Sequence, residues 1–227
     1  MALARSCLFA ALASAVASPA PASAKSDPQL LLAAKAALGR MEVRQKDTPG
    51  PGETTITRAV RLLELPHGPV LITELTIDGG SHAEVGALGV YYLKRAGNRY
   101  TVLKSWPEAV EGGGFGQAPE WSIATRFTKF PAIYATAGWT GQGCVSQWAV
   151  IAELAPAKPL VSDPIFISYS YDRPGTNEPE TLNGRIANIR KGASFDVVAT
   201  GTRRLTEHYA VRHGHYELTG KESALQC

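Results

Sequence analysis

The sequence has few of the residues and motifs that build common catalytic and metal centres. Of its 227 residues, three are cysteine and five are histidine. It contains no Gly-rich phosphate-binding loop, no dinucleotide-binding fingerprint and no His-Glu-x-x-His motif. Nucleotide, dinucleotide and zinc-protease chemistry are therefore not expected, and the sequence predicts no cofactor, no metal and no catalytic residue.

An excess of charge of one sign is also missing. Lysine and arginine number 23 and aspartate and glutamate 20, which gives a formal net charge of +3. The basic residues are scattered, and adjacent ones such as Lys94-Arg95 and Arg203-Arg204 form pairs, not patches. Because nucleic-acid binding requires a concentrated basic surface, no nucleic-acid partner is expected.

No hydrophobic run is long enough to span a membrane. The longest, Cys7 to Ala17, has roughly 11 residues, about half of the ~20 that a spanning helix needs. Arg5 precedes this run and Ala22-Ser23-Ala24 follows it, which is typical of a secretory signal peptide. We expect cleavage after Ala24, a periplasmic or secreted location, and no transmembrane segment in the mature chain.

Removal of the signal peptide takes Cys7 away and leaves two cysteines. In an oxidising compartment, Cys144 and Cys227 are expected to form a disulfide. The bond would close a loop of about 84 residues and contribute about 4 kcal/mol in the chain-entropy model. Two free thiols, or an intermolecular bond through Cys227, are the alternatives.

What the mature chain does contain is one helical segment followed by a β pattern. Gln29 to Leu38 is rich in leucine and alanine, with Ser26 or Asp27 as the cap, Pro28 in the first turn and Gly39 at the end. A Pro/Gly-rich break at residues 48–52 follows. The sequence thus predicts a signal peptide at 1–24, a short helix and linker at 25–52, and a single β domain at 53–227.

From residue 53 onward, short alternating segments recur about every ten residues with turn residues between them. This spacing predicts an all-β, antiparallel domain that is propeller-like or a sandwich. A faint repeat with a period near 60 residues relates Pro69–Ile72 to Pro131–Tyr134 and is compatible with either architecture.

The sequence places one serine beside a histidine, at Ser81-His82, after two glycines. The second glycine of a nucleophile elbow is missing, and adjacent residues of a strand point to opposite faces. A polar turn explains this pair better than a hydrolytic centre.

Histidines and carboxylates offer two further groupings. His208, His213 and His215 are the only histidine concentration, and we interpret them as structural or solvated, not as metal ligands. Paired carboxylates for glycoside hydrolysis are conceivable because such pairs meet only in the fold. The loop acids that could contribute are Glu108, Glu111, Glu120, Asp172, Glu178 and Glu180.

Aromatic residues in glycine-rich loops are the most informative feature. A long glycine-rich connection runs from Trp106 to Trp121 and contains Phe115, and a second loop contains Trp139. Such loops commonly bind ligands, and indole faces stack on sugars or apolar surfaces. We predict a ligand surface of Trp106, Phe115, Trp121 and Trp139, with Trp139 the most exposed indole. The alternative is that Trp106, Trp121 and Trp148 belong to the core.

These observations favour an exported, non-enzymatic binding protein whose partner is a small molecule, a glycan or an envelope protein. The first alternative is an envelope-directed hydrolase of a polysaccharide or ester, using the loop carboxylates or Ser81-His82. The second is an inhibitor or immunity-type protein.

Overall fold

The structure is a computed structural model that describes residues 27–172 and 179–226. The predicted signal peptide, Glu178 and Cys227 lie outside the described residues. The described chain contains one helix and fourteen strands. They are α1 (Pro28–Leu38), β1 (Glu42–Lys46), β2 (Thr54–Leu65), β3 (Gly68–Asp78), β4 (Gly86–Ala96), β5 (Arg99–Gly112), β6 (Glu120–Ala124), β7 (Ala132–Gly141), β8 (Cys144–Leu154), β9 (Pro159–Val161), β10 (Ile165–Tyr171), β11 (Glu180–Arg190), β12 (Ser194–Gly201), β13 (Leu205–Arg212) and β14 (His215–Leu218).

All strand pairs are antiparallel and form two curled sheets. The five-stranded sheet has the order β1-β2-β3-β4-β5. The nine-stranded sheet has the order β14-β13-β12-β11-β10-β8-β7-β6, with β9 added beside β8. The sheets form a sandwich-like, half-barrel fold, which confirms the predicted all-β class and favours the sandwich over the propeller-like arrangement. The 60-residue repeat stays a prediction, although the two strand pairs that it relates, β3–β4 and β7–β8, pack against each other.

Two inner strands of the five-stranded sheet, β3 and β4, are largely buried on both faces. The outer face of the sheet is covered by α1, whose Ala33 and Ala34 pack with Leu71 and Tyr91. The inner face packs against the nine-stranded sheet. Residues that share this contact are Val70, Ile72, Leu88 and Val90 on one side and Ile133, Val150, Ala152 and Leu154 on the other. We call this contact the intersheet core.

The curl of the nine-stranded sheet encloses a second core, which contains a cluster of aromatic rings. Phe195 stacks on Tyr209 with ring centroids 5.2 Å apart and contacts Tyr216 at 4.8 Å. The Tyr216 hydroxyl donates a 2.6 Å hydrogen bond to the carbonyl of Phe127. The buried phenol therefore has a partner, as burial of a polar group requires.

The helix begins and ends as its sequence predicts. The Asp27 carboxylate accepts a 2.9 Å hydrogen bond from the Gln29 amide, and Pro28 lies in the first turn. Gly39 ends the helix in the left-handed conformation, with φ of 79°. The segment that follows is more ordered than a linker, because β1 pairs with β2. Among the described residues, no helix has the length and hydropathy required to cross a bilayer.

Candidate functional site

The β7–β8 hairpin ends in a two-residue turn that projects one indole from the sheet. Gly141 pairs with Cys144, and the residues between them, Gln142 and Gly143, have φ of 51° and 76°. Positive φ at both central positions is typical of a type I′ turn, which matches the twist of antiparallel strands. The predicted glycine-aromatic loop is thus a tight turn, and Trp139 lies on the strand that leads into it.

The indole of Trp139 lies over Gly141, two residues further along the same face of β7. A Cβ atom at position 141 would be only 2.6 Å from the Cζ2 atom of Trp139. Glycine at this position therefore gives the indole room to lie along the strand. In this orientation 46% of the Trp139 surface remains exposed.

Trp139 forms one wall of a cavity of about 590 Å³, which we call the aromatic cavity. Two tyrosines of β10, Tyr169 and Tyr171, contribute further aromatic surface. The remaining lining residues come from the β7–β8 turn, β11, the β12–β13 connection and the C-terminal segment; they are Gly141, Gln142, Cys144, Glu180, Arg203, Ala224 and Gln226. A concave, partly aromatic surface with a few polar groups is the usual form of a ligand pocket.

One charged pair lies in the aromatic cavity. Arg203 Nε is 3.3 Å from Glu180 Oε1, and the Glu180 side chain is only 16% exposed. Burial and a hydrogen bond with Glu180 raise the pKa of the Tyr169 phenol above its ordinary value. The phenol keeps its proton at neutral pH and donates a hydrogen bond to Glu180.

The C-terminal segment reaches the aromatic cavity because a buried carboxylate holds it there. Glu207 accepts a 2.6 Å hydrogen bond from the Ala224 amide and bonds of 2.9 to 3.0 Å from the Ser223 hydroxyl. Arg203 Nη2 also lies 3.4 Å from the carbonyl of Ala224. Glu207 and Arg203 were not predicted as site residues, because a charged residue in a strand or a loop does not reveal its partner from the sequence.

The structure separates the four aromatic residues that the sequence analysis grouped as a ligand surface. Trp106 and Trp121 pack against the intersheet core: Trp106 contacts Tyr92 edge-on at 5.3 Å, and Trp121 Nε1 donates a 2.7 Å hydrogen bond to Glu74. Phe115 is 67% exposed but does not line the aromatic cavity.

The long glycine-rich connection is also shorter than predicted, because β5 continues to Gly112. The loop that remains is fixed by backbone hydrogen bonds, from the Ile77 amide to the Gly116 carbonyl at 2.7 Å and from the Gly116 amide to the Glu84 carbonyl at 2.9 Å. A Cβ at position 116 would lie 2.3 Å from the carbonyl oxygen of Ile77, so this close approach requires glycine.

The Ser81-His82 pair lies in an exposed turn. The Ser81 amide donates to the Glu84 carboxylate. No hydrogen bond within the described part of the chain joins Ser81 to His82. The environment is that of a polar turn, as the sequence analysis favoured.

The loop carboxylates are dispersed over different parts of the surface. Glu108 and Glu111 line a cavity of about 510 Å³ beside β5, and Glu120 lines another of about 390 Å³. Glu180 alone lines the aromatic cavity, whereas Asp172 is exposed just beyond β10. The described acids therefore do not meet as one group.

Each histidine of the C-terminal grouping lies beside a carboxylate. His208 Nδ1 is 2.7 Å from Asp196, whereas His213 Nδ1 and His215 Nε2 are 2.9 and 3.3 Å from Glu217. Hydrogen bonding to these histidines lowers the pKa of both carboxyl groups. Within residues 27–172 and 179–226, no three metal-ligating side chains converge.

Comparison with known proteins assigns no family to the chain: no family model, no curated protein and no solved structure matches it. The aromatic cavity must therefore be interpreted from its own geometry.

Proposed function

We propose that this chain is an exported, non-enzymatic binding protein that holds an uncharged sugar in the aromatic cavity. The exposed indole of Trp139, which lies over Gly141, is the observation that carries the proposal. A sugar ring has one apolar face of C–H groups and stacks on such an indole, while its hydroxyls bind polar groups at the edge.

The arrangement of polar groups supports an uncharged ligand. The described residues that line the cavity include one acid and one base, Glu180 and Arg203, and these already pair with each other. The pair contributes no net charge that would attract an ion, but it offers carboxylate acceptors and guanidinium donors to hydroxyl groups. The Tyr169 phenol donates a hydrogen bond to Glu180, and its oxygen can accept a hydrogen bond from a sugar hydroxyl.

The proposal also includes export of the chain and a disulfide between Cys144 and Cys227. The signal-like segment at residues 1–24 supports passage into an oxidising compartment. Cys144 and Gln226, the neighbour of Cys227, line the same cavity, which supports a Cys144–Cys227 disulfide. Such a bond would hold the C-terminal segment against the cavity wall.

The test is calorimetric titration of the purified protein with soluble oligosaccharides of glucose, galactose and N-acetylglucosamine. We expect one of the three series to bind, and Trp139→Ala to weaken that binding at least about tenfold because the stacking surface is lost. Gly141→Ala should also weaken it, since the added methyl group displaces the indole without removing it.

Phe115→Ala is the matched control, because it removes an exposed aromatic ring outside the cavity and should leave the affinity unchanged. Mass spectrometry of the oligosaccharides after incubation should show no cleavage. Absence of binding to all three series, full affinity in Trp139→Ala, or turnover of the sugar would each contradict the proposal.

A further inference from the structure

A second concave surface follows β5, far along the chain from the aromatic cavity. Two adjoining cavities of about 510 and 540 Å³ share Glu108, Ala109 and Val161 and so form one groove. Consecutive residues of β5, from Ser105 to Gly112, line this groove. Since alternate residues of a strand point to opposite faces, a run of consecutive lining residues means that the open edge of β5 faces the groove.

The edge itself has no strand beside it. In the described part of the chain, β5 pairs only with β4. The opposite wall of the groove is apolar: the rings of Trp148 and Phe166 lie 6.2 Å apart, and Val161 and Pro164 extend the surface. Val85 closes one end and is 42% exposed.

The charges of the groove have one sign. Glu108 and Glu111 are the only charged residues among the described residues that line either cavity, and both are exposed. The nearest lysine of β5, Lys104, has its ammonium group 3.0 Å from the carbonyl of Ala157. The groove therefore combines an apolar wall with an uncompensated acidic rim.

We propose that this groove binds an organic ammonium ion with an apolar body, its charged group beside Glu108 and Glu111 and its body against Trp148 and Phe166. The two carboxylates attract a cation and repel an anion. The aromatic rings add apolar contact area and a favourable interaction with positive charge. This site is independent of the aromatic cavity and takes a positively charged ligand, whereas the proposed ligand of the aromatic cavity is uncharged.

The test compares a matched pair of probes, 4-phenylbutylammonium and its neutral analogue 4-phenylbutanol, by calorimetry on the purified full chain. We expect the ammonium compound to bind more tightly than the alcohol. The double variant Glu108→Gln/Glu111→Gln should weaken ammonium binding about tenfold, which corresponds to two exposed ion pairs, and leave alcohol binding unchanged. Phe166→Ala should weaken the binding of both probes.

The salt dependence of the affinities distinguishes a loss of charge from a change in the shape of the groove, because a change in shape alone would not alter that dependence. Raising the salt from about 0.01 M to about 1 M shortens the screening length from about 30 Å to about 3 Å and should remove most of the difference between the probes. Glu120→Gln, which removes an exposed carboxylate outside the groove, and Trp139→Ala should both retain ammonium binding.

Equal affinity for the two probes, or unchanged ammonium binding in the double variant, would overturn the proposal. A wild-type chain that does not bind the ammonium compound would also overturn it. If the double variant then self-associates, the carboxylates serve instead to protect an open strand edge from pairing.

Discussion

Two indoles on neighbouring strands, Trp121 and Trp139, have opposite environments. Trp121 stands opposite Ala135 of β7 and packs against the intersheet core with its N–H bonded to Glu74. Trp139 lies only four residues further along β7 and is nearly half exposed. The five-stranded sheet causes this difference in exposure. It packs against Ile133, Ala135 and Val150, whereas the turn end of the hairpin lies outside this contact.

The two regions are consequently stabilised in different ways. The intersheet core excludes water over two facing sheets, so burial of apolar surface stabilises it. The turn end of β7–β8 lies outside the intersheet core and depends on individual interactions: the type I′ turn, the Glu180–Arg203 pair and the bonds of Glu207 to the C-terminal segment. We therefore expect truncation of a packed side chain to lower stability in the intersheet core. At the turn end, only loss of a specific bond should do so, and truncation of an exposed side chain should change binding alone.

The largest effect is expected from the proposed disulfide at the turn end. If Cys144 and Cys227 are bonded, reduction or Cys144→Ser should lower the free energy of unfolding by about 4 kcal/mol, because a loop of about 84 residues is released in the unfolded chain. Urea denaturation with and without reductant measures this change. Mass spectrometry of the unreduced protein should show an intact monomer two hydrogens lighter than the dithiol; two free thiols or a disulfide-linked dimer would exclude this source of stability.

The second prediction compares the two indoles directly. Trp121→Ala should lower the free energy of unfolding by about 2–4 kcal/mol, since it opens a cavity and leaves Glu74 without its indole donor. Trp139→Ala should cost less than about 1 kcal/mol, because an exposed side chain gains little from folding. Urea denaturation of both variants gives the comparison; equal losses would mean that the turn end is packed as tightly as the core.

Elements with strong local signals were predicted well. The helix has its cap at Asp27, one of the two predicted cap residues, and its end at Gly39, as predicted. Antiparallel all-β architecture followed from the spacing of turns. Strand β1, within the predicted linker, was missed because Glu42–Lys46 is polar and becomes a strand only through pairing with β2.

The aromatic cavity was predictable only in part. The flanking Gly138 and Thr140 indicated that the indole of Trp139 is exposed, and the structure agrees. Trp106 and Trp121 lie at the two ends of the glycine-rich connection, yet both pack against the intersheet core. Arg203 and Glu180 are more than twenty residues apart, so their meeting depends on sheet order, which local sequence does not encode.

The smallest predicted effect is a pH dependence of stability that arises beside the intersheet core. His67, in the turn between β2 and β3, lies between Tyr92 at 5.7 Å and Phe130 at 5.4 Å, and its two ring nitrogens are buried without a hydrogen-bond partner among the described residues. Burial lowers the pKa of His67. The unfolded chain therefore binds the proton more readily than the folded chain.

Because the pKa is lowered on folding, this contribution to stability is complete above about pH 6.5, the ordinary value for histidine, and is lost as the pH falls toward the folded pKa. His67→Leu should match or exceed the wild-type unfolding free energy at neutral pH, since it removes two unpaired nitrogens, and should lose less of it at about pH 5. Urea denaturation at the two pH values measures the difference, with the exposed His82→Gln as control. If His67→Leu and the wild type lose the same unfolding free energy on acidification, groups other than His67 cause the acid sensitivity. The region around His67 would then be no more acid-sensitive than the turn end.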